Sequence, residues 1–435
     1  MSHLKSTALI MLLSAGVLAG CSRSVPTAEQ TPGRPLTLEQ YNSSLPKDVF
    51  PDSRSRTPLA RREDLDDERK KAYDERVSPD STSLAGLSGP GGIRLHASSN
   101  LSETQVDRRT QELARLVVAR EMDQVFEWGM HEPVALKEGL EPSIIDIIRH
   151  DKPLTGVPPM DAAIIQLGRE FFQRHRVSPE TFAEALKHLG RRNLIDLCDL
   201  MGGYATTAIL LNMVDVHLPY NRPPLLPMPG KPAGPEVPAK QLTLPQYGKT
   251  LPPDVFPDSR SRIPLIRRED LDEEGKRGYD ERVSPKTTSL AGLQGPGGLG
   301  LHGSRDLAKT EVDRRLQELA RLVVAREFDQ VFEWGMHEPV ALKEGLEPAI
   351  IDVIRNRKPL DGVSAKEAAI IQLGREVLRT NRVSPETFTA ALKHLGRKNL
   401  IDLARLMGNY TRSAILLHTM DVHLPYNLEP RLPVS

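Results

Sequence analysis

A long internal repeat constrains the fold of this chain more than any other feature of its sequence. Residues 36–221 align with residues 242–427 at a constant offset of 206 without a gap, and 136 of the 186 aligned positions are identical. Each copy is large enough to bury a core of its own, which separates this duplication from a solenoid of short repeats. We therefore predict two copies of one domain, 36–221 and 242–427.

Between the copies lies a proline-rich stretch. Residues 222–241 contain seven prolines in twenty positions, a composition that predicts a semi-rigid, extended linker. Residues 428–435 then form a short tail.

The N-terminus has the features of a targeting segment. Lys5 precedes an apolar run at 8–15, which suits a signal peptide and is too short to span a bilayer. The run ends in Leu-Ala-Gly-Cys at 18–21, which resembles a bacterial lipobox. That resemblance implies a lipoprotein signal peptide at 1–20 and lipidation at Cys21, and a flexible tether is predicted at 21–35. Ser22 favours the outer membrane, facing the periplasm. The alternative is an ordinary secretory signal with a chance cysteine.

Charge and cysteine content exclude several classes of protein. Acidic and basic residues balance at 58 each, so no nucleic-acid partner is predicted. The two cysteines, Cys21 and Cys198, cannot form a disulfide framework typical of small secreted domains.

The secondary-structure pattern is helical in both copies. An apolar stripe at Leu113, Leu116 and Val117 predicts one helix, and further helices are predicted at about 123–137, from Glu141-Pro142, at 161–174, from Ser178 to Gly190 and at 193–214. A glycine-rich segment at 87–92 lacks the Gly-Lys-Ser/Thr of a phosphate loop and is read as a structural turn or as a pocket wall. No alternating strand pattern is found, so each copy is predicted to be all-α.

The candidate chemistry lies where the copies are most alike, since 35 of 39 positions from 103 to 141 match. Glu127 and His131 are four residues apart and share one helix face. Glu112, on the preceding helix, can turn back alongside them. Two carboxylates and an imidazole in a partly apolar pocket form a proton-transfer arrangement. A Glu–His pair at this spacing is by itself more typical of a surface ion pair.

The same stretch resembles the carboxymuconolactone decarboxylase / alkyl hydroperoxidase D-like superfamily. The resemblance rests on Arg109-x-x-Glu112-Leu113-Ala114, Glu127-Trp128-x-x-His131 and Ala135-Leu136-x-x-Gly139-Leu140, and covers most of 80–221 and 286–427. It implies tandem helical bundles that assemble as homo-oligomers, here a trimer of two-domain chains that mimics a hexamer. It also implies the catalytic residues Glu112, Glu127, His131, Glu318, Glu333 and His337.

The peroxidase branch of that superfamily uses Cys-x-x-Cys-x-x-x-His. Here Gln124 and Glu127 occupy the two cysteine positions, and Gln330 and Glu333 occupy them in the second copy. A thiol mechanism is therefore excluded chemically, although a peroxidase label could still follow from superfamily membership. The decarboxylase branch keeps glutamate and histidine and needs neither metal nor cofactor, so none is predicted.

A substrate carboxylate would need a cationic anchor. Arg108 is one candidate for this anchor. The other candidate substrate-binding residues are Arg109, Arg120, Trp128, Arg315, Arg326 and Trp334. The alternative is that these arginines are solvated residues on helix surfaces and that the tryptophans are core residues.

We therefore expect a membrane-anchored, cofactor-free enzyme that decarboxylates or isomerises a small carboxylate or lactone. The predicted envelope location argues against the muconolactone of intracellular catabolism as the substrate. The alternative is a non-catalytic binding or scaffolding lipoprotein.

Overall fold

The structure is a computed structural model that describes residues 37–44, 61–76, 104–215, 224–227, 267–282, 310–421 and 431–433. Every regular element in these ranges is helical, which confirms the all-α prediction. The predicted signal peptide, Cys21, the tether and the glycine-rich segments lie outside the described residues. Both repeats belong to one compact unit, Leu36–Ser435.

Within the described residues, the first repeat contains seven α-helices. They are α1 (Leu38–Ser44), α2 (Asp67–Arg76), α3 (Arg108–Glu121), α4 (Val125–Lys137), α5 (Pro142–Arg149), α6 (Pro159–Arg174) and α7 (Pro179–Met213). The second repeat contains six in the same part of the structure. They are α8 (Glu273–Arg282), α9 (Arg314–Glu327), α10 (Val331–Lys343), α11 (Pro348–Arg355), α12 (Ala365–Thr380) and α13 (Pro385–Thr419).

The helix ends follow the signals in the sequence. Ser178 caps α7 by accepting a hydrogen bond from the backbone N–H of Thr181, and proline occupies the first turn. Pro142 opens α5 in the same way. Gly139 follows α4 with a φ of 86°, a conformation that few other residues tolerate. Gly190 interrupts α7 with a φ of 70°, which confirms the predicted break there.

Helix α3 lies at the centre of the first repeat. It packs against α4, α6 and α7, and its apolar stripe is fully buried. Gly168 on α6 allows close contact, since a Cβ atom there would lie 2.3 Å from Cγ1 of Val117. Helix α9 has the same neighbours in the second repeat, namely α10, α12 and α13.

The most extensive helix–helix contact joins α7 to α13 and therefore joins the two repeats. A Cβ atom on Gly202 would lie 2.8 Å from the Cα atom of Arg412, and one on Gly408 would lie 2.8 Å from the Cα atom of Thr206. Gly408 is the equivalent of Gly202, and Thr206 is the equivalent of Arg412, so each repeat makes the same contact with the other. The contact is therefore isologous, like that of a twofold homodimer, but within one chain.

The structural equivalence of the repeats continues past the predicted domain ends at 221 and 427. Leu226 and Leu432 are both buried. Arg120 donates a hydrogen bond to the carbonyl oxygen of Pro227 at 2.8 Å, and Arg326 does the same to Pro433. Residues 224–227 of the proline-rich linker thus pack onto the first repeat.

One stretch among the described residues, Arg192–Met213 of α7, is long and apolar enough to cross a membrane. Most of it is buried inside the protein, where it forms the contact with α13.

Candidate proton-transfer site

The turn between α3 and α4 brings the predicted residues together. Asp123 adopts a left-handed conformation with a φ of 49°, and the side chain of Gln124 caps α4 by accepting from the N–H of Phe126 at 2.8 Å. Helix α4 then runs back along α3. His131 on α4 therefore comes to lie beside Glu112 on α3.

His131 bridges the two predicted carboxylates. Its Nδ1 lies 2.7 Å from Oε2 of Glu112, and its Nε2 lies 3.4 Å from Oε2 of Glu127. The Glu112 and Glu127 side chains are 2% and 4% exposed, whereas the imidazole is 17% exposed. The two carboxylates are thus buried, and the histidine between them retains access to solvent.

The second repeat reproduces the arrangement. His337 Nδ1 lies 2.8 Å from Glu318, and its Nε2 lies 3.3 Å from Glu333. The chain therefore carries two copies of the same Glu–His–Glu line of side chains.

An arginine and a tyrosine complete each cluster. Arg115 donates to Oε1 of Glu112 at 2.6 Å, and its guanidinium lies 5.1 Å from the ring centre of Tyr204. The Tyr204 ring in turn meets the His131 ring edge-on at 5.0 Å between centres. Arg321 and Tyr410 make the same contacts in the second repeat.

Neither Arg115 nor Tyr204 is among the site residues predicted from the sequence. Arg115 follows Glu112 at i+3, a spacing that could have identified it, but an arginine on a charged helix is usually solvated. Tyr204 comes from α7, far away in sequence, and only packing of α7 on α3 brings it near. Both side chains are largely buried.

The electrostatics of the cluster favour the charged forms. Burial opposes ionisation of Glu112, but the hydrogen bond from His131 and the charges of His131 and Arg115 outweigh it, so the pKa of Glu112 is lowered. Burial likewise opposes protonation of His131, yet contacts with Glu112 and Glu127 raise its pKa. Burial raises the pKa of Tyr204 to about 12, which keeps its hydroxyl protonated. The pKa of Glu318 is lowered and that of His337 raised for the same reasons.

Such an arrangement can store and move one proton. Glu112 fixes the orientation of the imidazole through Nδ1, as a carboxylate does in a catalytic triad. The Nε2 atom faces Glu127, so a proton can pass between them over a short path. With Arg115 counted, two positive and two negative groups balance, which lowers the cost of burying them.

The predicted substrate-binding arginines have other partners. Arg109 donates to Asp161 on α6 at 2.8 Å and also binds Glu141, and thereby ties α3 to α5 and α6. Arg315 makes the equivalent contacts with Glu347 and Glu367. Arg120 and Arg326 bind the segments at Pro227 and Pro433 described above.

The tryptophans are core residues. Trp128 is fully buried and donates to Glu132 at 2.6 Å, and the guanidinium of Arg149 lies 5.5 Å from its ring centre. Trp334 has the same surroundings, with its Nε1 atom donating to Glu338 at 2.6 Å. The structure therefore does not present either ring as a ligand platform.

The first arginine of α3 and of α9 lies beside the cluster and is exposed to solvent. Arg314 lies 3.7 Å from Oε1 of Glu318, and 59% of its side chain is exposed. The charge of Arg108, its equivalent, contributes to the lowered pKa of Glu112. An anionic group approaching His131 would therefore meet Arg108 rather than Arg109 or Arg120.

Cys198 lies apart from this cluster. It is fully buried on α7, and its Sγ atom lies 3.8 Å from the hydroxyl of Thr419 on α13. Burial raises its pKa to about 12, so it is a thiol and a poor nucleophile at neutral pH. In the part of the chain that the structure describes, no group of three or more histidine, cysteine or carboxylate side chains is arranged to hold a metal.

No protein-family model, no curated protein and no solved structure matches this chain. Its function therefore has to be argued from the geometry of the two clusters.

Proposed function

We propose that each repeat carries a cofactor-free proton-transfer site for a small carboxylate or lactone, of the carboxymuconolactone decarboxylase-like kind. The observation that carries the proposal is the duplicated Glu–His–Glu line, with distances of 2.7 and 3.4 Å in one repeat and 2.8 and 3.3 Å in the other. Fifty of the 186 aligned positions differ between the copies, and the residues of this cluster are not among them.

The roles of the residues follow from their burial and contacts. Glu112 holds the His131 ring, and Arg115 holds Glu112. His131 and Glu127 are then the pair that exchanges a proton with substrate, because the imidazole is the exposed member of the cluster. The same roles fall to Glu318, Arg321, His337 and Glu333.

Two reactions fit this pair. In an isomerisation, the Glu127 carboxylate takes a proton from a carbon next to a carbonyl group, and the resulting carboxylic acid or the protonated His131 delivers a proton to another carbon of the enolate. In a decarboxylation, the electrons of the broken C–C bond enter the conjugated system as CO₂ leaves, and the acid protonates the carbanion. Neither reaction needs an external oxidant or reductant. The half-exposed Arg108 and Arg314 would attract the substrate carboxylate.

Peroxidase activity is the weaker candidate. Gln124 and Gln330 occupy one of the two thiol positions in each repeat and act as helix caps. The described thiol, Cys198, is buried in the contact between α7 and α13. A disulfide exchange at these sites has no sulfur to start from.

Membrane attachment and assembly are also part of the proposal. Lipidation at Cys21 would hold the protein in the bacterial envelope, at the outer membrane facing the periplasm. Metabolic labelling with palmitate should then mark the wild-type protein and not a Cys21→Ala variant. A trimer of chains should appear in light scattering of the detergent-solubilised protein, and a monomer would contradict that part.

The central experiment is a ligand screen followed by turnover. Small carboxylates, lactones and organic hydroperoxides are tested for a rise in melting temperature of the full-length protein, since a ligand that binds the folded state stabilises it. The expected result is a carboxylate or lactone hit that disappears in the double variant His131→Ala with His337→Ala.

Turnover of that hit is then measured in Glu127→Gln with Glu333→Gln. Loss of an acid–base group should reduce the rate at least 100-fold. The matched control is Glu141→Gln with Glu347→Gln, the same change at equivalent, half-exposed positions outside the clusters. Unchanged turnover in the first double variant would refute the catalytic assignment.

A scaffolding role is the second candidate. The observation that favours it is that the charged groups of the cluster contact one another, as they would in a purely structural network. If no ligand in the screen binds and the histidine variants only lose stability, the scaffolding role would be the better explanation.

A further inference from the structure

The two repeats differ sharply in charge at the C-terminal ends of α3 and α9. In the second repeat we define the arginine cluster as Arg326, Arg357, Arg375 and Arg379. The equivalent residues in the first repeat are Arg120, Asp151, Arg169 and Gln173. Both sets surround the same pair of carboxylates, Glu121 and Asp123 in the first repeat and Glu327 and Asp329 in the second.

The first repeat balances its charges by local pairing. Arg169 forms an ion pair with Asp151 at 2.7 Å, Arg120 lies 3.5 Å from Asp123, and Gln173 donates to Glu121 at 3.0 Å. The charge of Arg382, from the second repeat, also acts on Asp123. Among the residues of the first repeat's own set, two arginines face three carboxylates, which leaves one formal negative charge. Burial raises the pKa of Glu121 to about 7, so this negative charge is partly lost to protonation near neutrality.

The second repeat brings guanidinium groups together instead. The Nε atoms of Arg357 and Arg379 each lie 3.4 Å from the same oxygen, Oε2 of Glu327. Arg326 and Arg357 also share Asp329, and each lies 3.3 Å from its Oδ1 atom. Within this set, four arginines thus face two carboxylates, an excess of two formal positive charges.

One ion pair of the first repeat becomes a like-charge contact in the second. In the first repeat Arg169 pairs with Asp151. In the second repeat the equivalent residues are Arg375 and Arg357, so two arginines are neighbours there. Burial, together with the charges of Arg379 and Arg357, lowers the pKa of Arg375. Burial and the charge of Arg357 likewise lower the pKa of Arg326. Proximity of like charges in a partly buried place is costly unless an anion offsets it.

Two further features distinguish these positions in the second repeat. The Nε atom of Arg326 is buried and has no hydrogen-bond partner among the described residues. Arg357 adopts a left-handed conformation with a φ of 49°, which Asp151 tolerates better because aspartate is enriched in that region. An arginine at position 357 is therefore unfavourable for two reasons, namely its like-charged neighbours and its left-handed backbone conformation.

We propose that the arginine cluster binds a phosphate-type oxyanion, either free phosphate or a phosphate monoester or a lipid headgroup. Guanidinium groups recognise such anions through paired N–H donors. Arg379, with 51% of its side chain exposed, gives the ligand access from solvent, whereas Arg326 closes the buried side. His175 of the first repeat also lies near the charges of Asp329, Arg357 and Arg379, so the site is at the junction of the repeats. This site is separate from the two Glu–His–Glu clusters.

The first repeat supplies the decisive variant. Arg357→Asp with Arg379→Gln converts the cluster into the set that the first repeat already folds around. Removing these two guanidinium groups should weaken phosphate binding by tenfold or more, since a hydrogen bond to a charged group is worth about 1.5–3 kcal/mol. A single Arg379→Gln variant, which keeps three arginines, should show an intermediate affinity.

Binding is measured by the melting temperature of the full-length protein near neutral pH, as inorganic phosphate replaces chloride at constant ionic strength. The matched control is Arg192→Asp with Arg267→Gln, which makes the same change in net charge at two exposed arginines. We expect phosphate to stabilise the wild-type and control proteins and not the Arg357→Asp, Arg379→Gln protein. Equal melting temperatures of the wild type in phosphate and chloride, or stabilisation that persists in that variant, would overturn the proposal.

The source of the anion is distinguished in the same assay. Short-chain phosphatidylglycerol is compared with short-chain phosphatidylcholine, whose headgroup carries no net charge. Stabilisation by phosphatidylglycerol that vanishes in the variant assigns the site to a lipid headgroup. Stabilisation by inorganic phosphate alone assigns it to a free phosphate or phosphate monoester.

Discussion

Asp199 on α7 and Arg412 on α13 form a two-point ion pair across the contact between the repeats, although 213 residues separate them in sequence. On the other side of the pseudo-twofold axis, Arg405 stands at the position equivalent to Asp199, and Thr206 stands at the position equivalent to Arg412. The pseudo-twofold axis therefore relates the backbones of the repeats, but the ion pair occurs on one side of it only.

This pair should contribute strongly to the stability of the joined repeats. The Asp199 side chain is 3% exposed and that of Arg412 is 22% exposed. Arg412→Ala leaves a buried carboxylate without this guanidinium, which should lower the free energy of unfolding by about 3 kcal/mol. Denaturant unfolding measures the change, and Arg62→Ala, which removes the half-exposed two-point ion pair with Asp74, should cost less than about 1 kcal/mol. Equal effects of the two changes would contradict a special role for Asp199 and Arg412.

The helix contact should be intolerant of a single methyl group. Gly202→Ala places a Cβ atom 2.8 Å from the Cα atom of Arg412, so overpacking should destabilise the protein by about 1–3 kcal/mol. Gly203 offers an internal control, since a Cβ atom there meets nothing within 4 Å. Gly203→Ala should be neutral or stabilising, by up to about 1 kcal/mol, because alanine favours helices. Thermal unfolding of both variants tests the contact, and a stable Gly202→Ala protein would argue against it.

The buried histidine of the second repeat should make stability depend on acid pH. Burial lowers the pKa of His418 to about 4, from an ordinary value of 6.5. The unfolded state therefore binds the proton first, and stability falls as the pH drops from 6.5 towards 4, by up to about 3 kcal/mol. Urea unfolding across this range measures the slope.

His418→Asn is the matched variant for that measurement. Asn212, its equivalent, donates to the carbonyl oxygen of Met122 at 2.9 Å, much as His418 meets that of Phe328 at 2.8 Å. Asparagine should keep the hydrogen bond and flatten the acid dependence. A slope that is unchanged in this variant would assign the acid sensitivity to other groups.

The site histidines should titrate in the opposite sense. Contacts with Glu112 and Glu127 raise the pKa of His131 above 6.5 despite its burial. The stability it contributes is then complete below pH 6.5 and is lost as the pH rises through the folded-state pKa. Imidazole resonances in NMR should show His131 and His337 still protonated above pH 6.5. Glu112→Gln should lower the pKa of His131 alone, and a value at or below 6.5 in the wild type would refute the paired arrangement.

The sequence predicted the helices and the two site copies for identifiable reasons. Prolines and capping residues such as Ser178 act locally, so the bounds of most helices could be predicted within a few residues. Glu127 and His131 share a helix face by spacing alone, and Glu112 was added because α3 immediately precedes α4. The superfamily that this stretch resembles, and the activity it implies, stay predictions.

The parts that sequence could not predict depend on contacts between distant segments. Tyr204 reaches His131 only because α7 packs on α3. Arg109 has the charge expected of a substrate anchor, but its guanidinium binds carboxylates at α5 and α6. No local sequence pattern predicts those contacts. The close approach of Gly202 to Arg412 likewise needs the second repeat to be present.

The isologous contact of α7 with α13 also changes what mutation can do to this protein. In a homodimer each substitution is present in both subunits. A charge that stabilises the contact on one side of the twofold axis therefore also appears on the other side, where it can be destabilising. In this chain the two halves are encoded separately, and a change in one is inherited without the other. Asp199 thus meets Arg412 on one side only, and the four arginines occur in the second half, whereas the first half has Asp151 and Gln173 at two of those positions. Covalent fusion therefore lets the two halves differ in sequence, and in charge, inside a shared fold.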